Sequence, residues 1–265
     1  MQVDFTFLGT GTSQGVPIIG CECAVCMSGD GRDKRLRSSI LLRTERAQVI
    51  IDSGPDFRQQ CLRIGLNHLD ALVITHEHKD HVAGLDDIRP FNFRSGNDMP
   101  VYATEAVQEA LKREFHYIFQ SNPYPGVPRV ILKSIHENSF LIREDEWWPL
   151  PVKHHKLPVL GFRVGGFAYV TDANYFSELA LERLQGVDVL VLNALRREPH
   201  MSHFTLDEAI EWAQRIGARQ TYFTHISHQL GEYQMVDSEL PDGISLAYDG
   251  LSGQSFGSGF RAQNH

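Results

Sequence analysis

Ala71-Leu72-Val73-Ile74-Thr75-His76-Glu77-His78-Lys79-Asp80-His81 sets a strand-like apolar run against three imidazoles with carboxylates among them. So many polar groups beside an apolar strand need either bulk water or a cation. In an extended segment alternate side chains share a face, so His76 and His78 can converge on one ion. If the chain then turns into a helix or tight loop, Asp80 and His81 point elsewhere and can serve a second. The spacing therefore suggests two adjacent metals. A polar loop with chance histidines is the bland alternative, and it predicts no complementary ligands elsewhere in the chain.

Working outward, the chain has 265 residues, 42% of them hydrophobic, and a formal net charge of −8. That allows one large domain or two small ones with a sizeable core. There is no solenoid repeat and no linker long enough to separate a pair of domains, so residues 1–256 are expected as a single domain. The tail Gly257-Ser258-Gly259-Phe260-Arg261-Ala262-Gln263-Asn264-His265 reads as disordered or as a cloning remnant and is set aside. Met1-Gln2-Val3-Asp4-Phe5 lacks the basic region and apolar run of a targeting segment. No stretch approaches the roughly eighteen apolar residues of a membrane span. A cytoplasmic protein with no membrane partner is expected. The acidic balance argues against a long nucleic acid, though a local basic patch could still grip a phosphate.

The first strand-like segment, Val3 to Leu8, runs into Gly9-Thr10-Gly11-Thr12-Ser13-Gln14-Gly15. A nucleotide-binding reading fails there. The glycine spacing is wrong, and Val16-Pro17-Ile18-Ile19-Gly20 is no helix that could aim its N-terminus at a pyrophosphate. Close approach of a substrate phosphate and a plain tight turn both remain open. Further strands are expected at 38–44, 47–52, 101–104, 129–135, 140–152, 161–170, 187–192, 220–224 and 244–247, with helices at 55–64, 105–119, 177–184 and 205–216. Thr205 and Glu208 form a capping box for the last of these helices, and Gly217 stops it. Trp147 and Trp148 are expected to close a sheet face. Arg32-Asp33-Lys34-Arg35-Leu36-Arg37 reads as a solvated loop. Pattern alone gives a mixed α and β chain.

His76-x-His78-x-Asp80-His81 resembles the signature of the metallo-β-lactamase superfamily of binuclear hydrolases. The resemblance implies an α/β (α+β) fold, a four-layer αβ/βα sandwich with two facing sheets, helices outside and the metals at one edge between them. Downstream strands end in the residue types such a site needs: His154-His155, Asp172 and His225. Carried onto these positions, the superfamily pattern puts His76, His78 and His154 on one ion, Asp80, His81 and His225 on the other, and Asp172 between them. His155 competes with His154, which the H-x-K-L pattern favours. Asp52-Ser53-Gly54 resembles the superfamily's aspartate turn, whose carboxylate orients ligands without being one. Asp80 is carried as both ligand and catalytic residue. A divalent ion lowers the pKa of bound water from ~15.7 to roughly 7, so a metal-bound hydroxide and hydrolysis are expected. The ligand set suits zinc or manganese.

Cys21-Glu22-Cys23-Ala24-Val25-Cys26 holds three cysteines too close to bridge one another comfortably, which points to thiolates on a metal in a reducing compartment. Cys61 reads as an ordinary buried helix residue. A tetrahedral zinc wants a fourth ligand, and His228, three residues after His225, is the candidate. This C-x-C-x-x-C and T-H-I-S-H combination closely resembles the PhnP-type phosphodiesterases, which hydrolyse cyclic phosphates of ribose during phosphonate breakdown. In that family these residues bind a structural zinc. The bland alternative is reduced cysteines packed near the surface. The leaving alkoxide needs a proton, and His203 matches the family's catalytic histidine better than His200 does. A small phosphorylated, even cyclic, substrate is expected, and a homodimer is allowed. Alternatives are a tRNA 3′-processing endonuclease and a thioester or lactam hydrolase on the same fold.

Overall fold

The computed structural model describes residues 1–257. From 258 onward the C-terminal tail lies outside the described residues. One sheet is built from β1 (Gln2–Gly9), β2 (Ser39–Arg43), β3 (Gln48–Ile51), β4 (Ala71–Val73), β5 (Met99–Ala103) and β6 (Val130–Ser134) in that order, with β15 (Ser252–Phe256) outside β1. The second contains β7 (Phe140–Ile142), β8 (Asp145–His154), β9 (Leu157–Val164), β10 (Phe167–Val170), β11 (Tyr175–Phe176), β12 (Val189–Asn193), β13 (Gln220–Thr224) and β14 (Ile244–Leu246). Its order is β11-β8-β9-β10-β12-β13-β14, with β7 paired to β8.

The expected four layers are present. Val3, Phe5, Phe7, Ile40, Trp147, Phe162, Phe167 and Tyr169 fill the gap between the sheets. Each such side chain, fully buried, contributes about 1.5–3 kcal/mol relative to exposure. The outer face of the first sheet is covered by α2 (Phe57–Arg63), α4 (Arg89–Ser95) and α5 (Glu105–Glu114), whose Phe57, Phe91, Val107 and Leu111 pack with Leu41, Ile50 and Leu72. The second sheet is covered by α6 (Glu178–Leu184), α7 (Leu206–Ile216) and α8 (Tyr233–Glu239), through Leu184, Ala209, Ala213 and Val236. Two four-residue helices, α1 (Ala24–Met27) and α3 (Lys79–Val82), lie at functional turns. Among the described residues no helix is long and apolar enough to cross a membrane.

The structure corrects several local expectations. The strand expected over 161–170 is a hairpin, because Gly165, with φ of +56°, supplies the two-residue turn between Val164 and Phe167. The run 140–152 breaks likewise at Arg143-Glu144 between β7 and β8. The helix expected to reach Phe119 ends at Glu114, and Phe115 and Ile118 are buried from a turn instead. Trp147 closes the inner face of its sheet as expected. The charged run 32–37 is not a solvated loop. Arg35 is buried, donating to Thr10 Oγ1 at 2.8 Å and to the Ala247 carbonyl at 2.6 Å.

Candidate active site

The stretch from Ala71 leaves the sheet at Val73 and bends at Thr75, and the chain is extended again at His78, whose φ and ψ are −62° and 147°. Four helical residues, Lys79–Val82, then carry Asp80 and His81. The His76 ring centroid stands 4.6 Å from that of His78, 4.2 Å from that of His81 and 5.8 Å from that of His154. His78 and His154 are 5.1 Å apart. His154 ends β8 facing this group, whereas His155, with φ of +57°, is exposed in the turn that follows, so the ambiguity between them falls to His154.

Asp52 lies behind the histidines. Its Oδ2 is 2.6 Å from His81 Nδ1 and 2.9 Å from Thr75 Oγ1, and Thr75 Oγ1 is 2.9 Å from His76 Nδ1. A hydroxyl has one proton, so the consistent arrangement runs from His76 Nδ1–H to Thr75 Oγ1 and from Thr75 O–H to Asp52. His154 Nδ1 donates to the Ser202 carbonyl at 3.0 Å. Three imidazoles thus have Nδ1 engaged behind them, which turns Nε2 to the front. The buried Nε2 atoms of His76 and His81 have no aligned hydrogen-bond partner.

Asp172 is the common point. Its Oδ2 lies 3.2 Å from His81 Nε2 and 3.2 Å from His225 Nδ1, and Asp80 Oδ2 is 3.2 Å from His81 Nε2. One ligand atom each from Asp80, His81, Asp172 and His225 falls within 4.8 Å of the others, and so does a set from His154, Asp172 and His203. Asp52, Asp172 and His225 have φ of +64°, +53° and +56°. Left-handed backbone is costly for such residues and gathers at functional sites. Here each lies just past the end of a strand, β3, β10 and β13. Gly54 is obligatory beside them, since an added methyl would meet the Asp80 carbonyl oxygen at 2.0 Å.

Burial drives protons off His76, His225 and His154, holding each below the ordinary imidazole value. Burial also favours the neutral form of Asp172, but His225 and His81 outweigh it and keep the carboxyl well below the usual range. Neutral imidazoles facing ionised carboxylates are the protonation state a divalent cation requires. His81 is the exception. Burial opposes its charging, but Asp172, Asp80 and Asp52 together hold its proton. The donor set and its orphaned nitrogens fit divalent metal.

His203 is buried, its ring 4.5 Å from that of His154 and 4.9 Å from that of His225, with Nδ1 3.9 Å from Asp172 Oδ1. Burial, followed by the neighbouring imidazoles, lowers it to about 2. His200 stands further out, 5.1 Å from His203, and contacts Ser202.

The cysteines meet the expected fourth residue. Sγ of Cys21, Cys23 and Cys26 lies 3.4, 3.2 and 3.7 Å from His228 Nδ1. Around a tetrahedral zinc, with Zn–S about 2.3 Å and Zn–N about 2.05 Å, sulfur and nitrogen stand about 3.5 Å apart. The four side chains fit such an ion. The Gly9–Gly15 loop is stitched to the same strand end, as Ile226 N donates to Thr10 O at 2.9 Å and Thr12 N to Ile226 O at 3.1 Å.

Residues 47–226 match the beta-lactamase superfamily domain. The chain belongs to the beta-lactamase superfamily. Within it, a crystal structure described as a new diphosphatase from the PhnP family is 42% identical, with a TM-score of 0.90, over 97% of this chain and 99% of that one. Within the superfamily the chain is accordingly of the PhnP type. An octanoyltransferase from Porphyromonas gingivalis is 40% identical over 92% of this chain and 50% of its own length. A ribonuclease Z from Nostoc punctiforme is 25% identical over 61% of this chain and 46% of its own. The chain spans about half the length of these curated relatives.

Sequence reading missed Thr75, Ser202 and Ser38, whose Oγ lies 3.2 Å from His225 Nδ1. Thr75 could have been found, since a hydroxyl directly before the first histidine is placed to engage it. The Ser202 carbonyl and Ser38 carry no sequence signal, because folding alone brings them near.

Proposed function

We propose that this PhnP-type hydrolase is a binuclear phosphodiesterase acting on a small phosphorylated substrate in the cytoplasm. The observation that carries this reading is Asp172, whose carboxylate is shared by two groups of ligand atoms. In it, His76, His78 and His154 would hold one ion and Asp80, His81 and His225 the other, with Asp172 available to both. Zinc or manganese would supply the Lewis acidity that activates water and neutralises phosphoryl oxygens. Asp52, Thr75 and the Ser202 carbonyl fix the imidazole tautomers. His203, behind Asp172, passes a proton to the leaving oxygen. It is neutral on its own, and the negative charge of a bound phosphoryl group favours its protonated form. Cys21, Cys23, Cys26 and His228 hold a closed structural zinc, and such free thiols fit a reducing compartment.

The whole-length likeness to a PhnP-family diphosphatase supports a P–O bond as the one cleaved. A thioester reading has one observation behind it, the octanoyltransferase relative, and that resemblance covers half of a longer protein. Incubating metal-loaded protein with bis-p-nitrophenyl phosphate, ADP-ribose, a tRNA precursor and an octanoyl thioester tests both. Turnover of the small phosphodiesters is expected. Turnover of the thioester or the tRNA alone would refute the reading.

A further inference from the structure

Arg37, at the end of the run read as a solvated loop, is drawn to the lip of the site. Its Nη1 donates to both oxygens of Asp56 at 3.1 and 3.2 Å, and its Nε donates to the Ser13 carbonyl at 3.2 Å. Among the described residues Nη2 donates to nothing, and 31% of the side chain is open to solvent. The stem runs past the turn that carries Asp80. A methyl added at Gly54, 2.0 Å from the Asp80 oxygen, would stand 3.6 Å from Arg37 Cβ. The guanidinium end lies against Gly15, where an added methyl would meet Cδ and Cζ at 3.8 and 3.9 Å.

Gly15 closes the neighbouring turn, its N–H donating to the Thr12 carbonyl at 2.8 Å, and Thr12 Oγ1 is 3.3 Å from His225 Nε2. Ser13 and Gln14 are exposed between them. Their amide N–H groups bond to no acceptor among the described residues. A tethered guanidinium, two free amides and the Ser13 hydroxyl therefore share one lip, on the Asp80 and His225 side. Asp56 cancels much of the charge on Arg37, but with the Ser13 carbonyl it also fixes the guanidinium plane and leaves the Nη2 protons to donate, and a preorganised donor loses little entropy when it binds an oxyanion. Amide groups beside an arginine suit phosphate oxygens.

We propose that Arg37 and the Ser13–Gln14 turn form a subsite for a second phosphate adjoining the one attacked, so that the preferred substrate is a diphosphate diester. This rests on the phosphodiesterase reading above. In hydrolysis the water oxygen bonds to the attacked phosphorus and the bridging P–O bond breaks. Its electron pair stays with the leaving phosphate, which is held at Arg37 and takes the His203 proton, and the proton lost by the attacking water returns to His203 through solvent.

The test compares wild type, Arg37→Gln and Arg37→Lys. Lysine retains a cation and removes the fork, so it serves if glutamine impairs folding. With ADP-ribose, kcat/KM is expected to fall by about ten- to a hundredfold, mainly through KM. The fall should be at least tenfold larger than that for bis-p-nitrophenyl phosphate, which has one phosphate. Calorimetric binding of methylenediphosphonate should weaken in parallel. Equal losses on both substrates, or unchanged methylenediphosphonate binding, would overturn the subsite and leave the phosphodiesterase reading standing. A wild type that cleaves neither substrate but binds methylenediphosphonate through Arg37 would do the reverse.

Discussion

Asp52 Oδ2 lies 2.6 Å from Nδ1 of His81, with both side chains sealed from solvent. The same oxygen accepts from Thr75 Oγ1 at 2.9 Å, so one carboxylate behind the site governs His81 directly and His76 through a hydroxyl. Removing an orienting group of this kind costs about 10–100-fold in metal affinity or activity. Asp52→Asn should fall in that range. Competition against a chelator of known affinity, read alongside turnover, checks it.

Thr75→Val keeps the shape and deletes the hydroxyl. His76 then loses its Nδ1 partner while His81 keeps Asp52, so the loss should be smaller than for Asp52→Asn and confined to one of two metal equivalents. Thr75→Ser should restore it. Metal content against turnover for the three proteins distinguishes this from a general loss of folding.

His203→Ala should retain its metals and lose about 10²–10⁴ in turnover, the usual contribution of a positioned proton donor. The loss should shrink for substrates with acidic leaving groups, which need no proton. Full activity on an alkyl phosphodiester would remove His203 from the reaction.

Stripping metal should expose Cys21, Cys23 and Cys26 to alkylation and lower the melting temperature, since a structural zinc contributes folding free energy. Cys61 should stay silent until the protein unfolds, because burial pushes its thiol up to about 12. Mass spectrometry of alkylated peptides before and after chelation reads both.

Asp188 accepts from Arg219 Nε at 2.7 Å and from Phe256 N at 2.9 Å, tying the second sheet to β15 of the first. Arg219 foremost, and also the Phe256 amide, hold its carboxyl below 3.8. A depressed folded-state value means the stabilisation is complete above the unfolded value and is lost as pH falls through the folded one. Asp188→Asn should therefore be less stable at pH 7, by on the order of 1 kcal/mol given the exposure of Arg219. The difference should close as pH falls through the depressed folded-state value of Asp188. Urea unfolding across pH measures it.

Much of this architecture was legible. Thr205 and Gly217 bound α7 as read, with the capping box and a left-handed C-cap both formed. The stretch from Ala71 to His81 gave the strand, the turn and the histidine grouping, because period-two alternation and a short helix are local properties. Other features were invisible because they depend on distant partners. Arg35 is buried only because Thr10 and Ala247 accept its protons, and β15 is a strand only because β1 offers it an edge. The left-handed turns at Asp172 and His225 have no glycine to announce them.

The binuclear centre is most directly tested by X-ray diffraction at the absorption edge of the metal in protein loaded with zinc or manganese. Two anomalous peaks flanking Asp172 are expected, one toward His76, His78 and His154 and the other toward Asp80, His81 and His225. A metal-replete crystal with no peak beside Asp172, or with metal bound only at the cysteines, would contradict it.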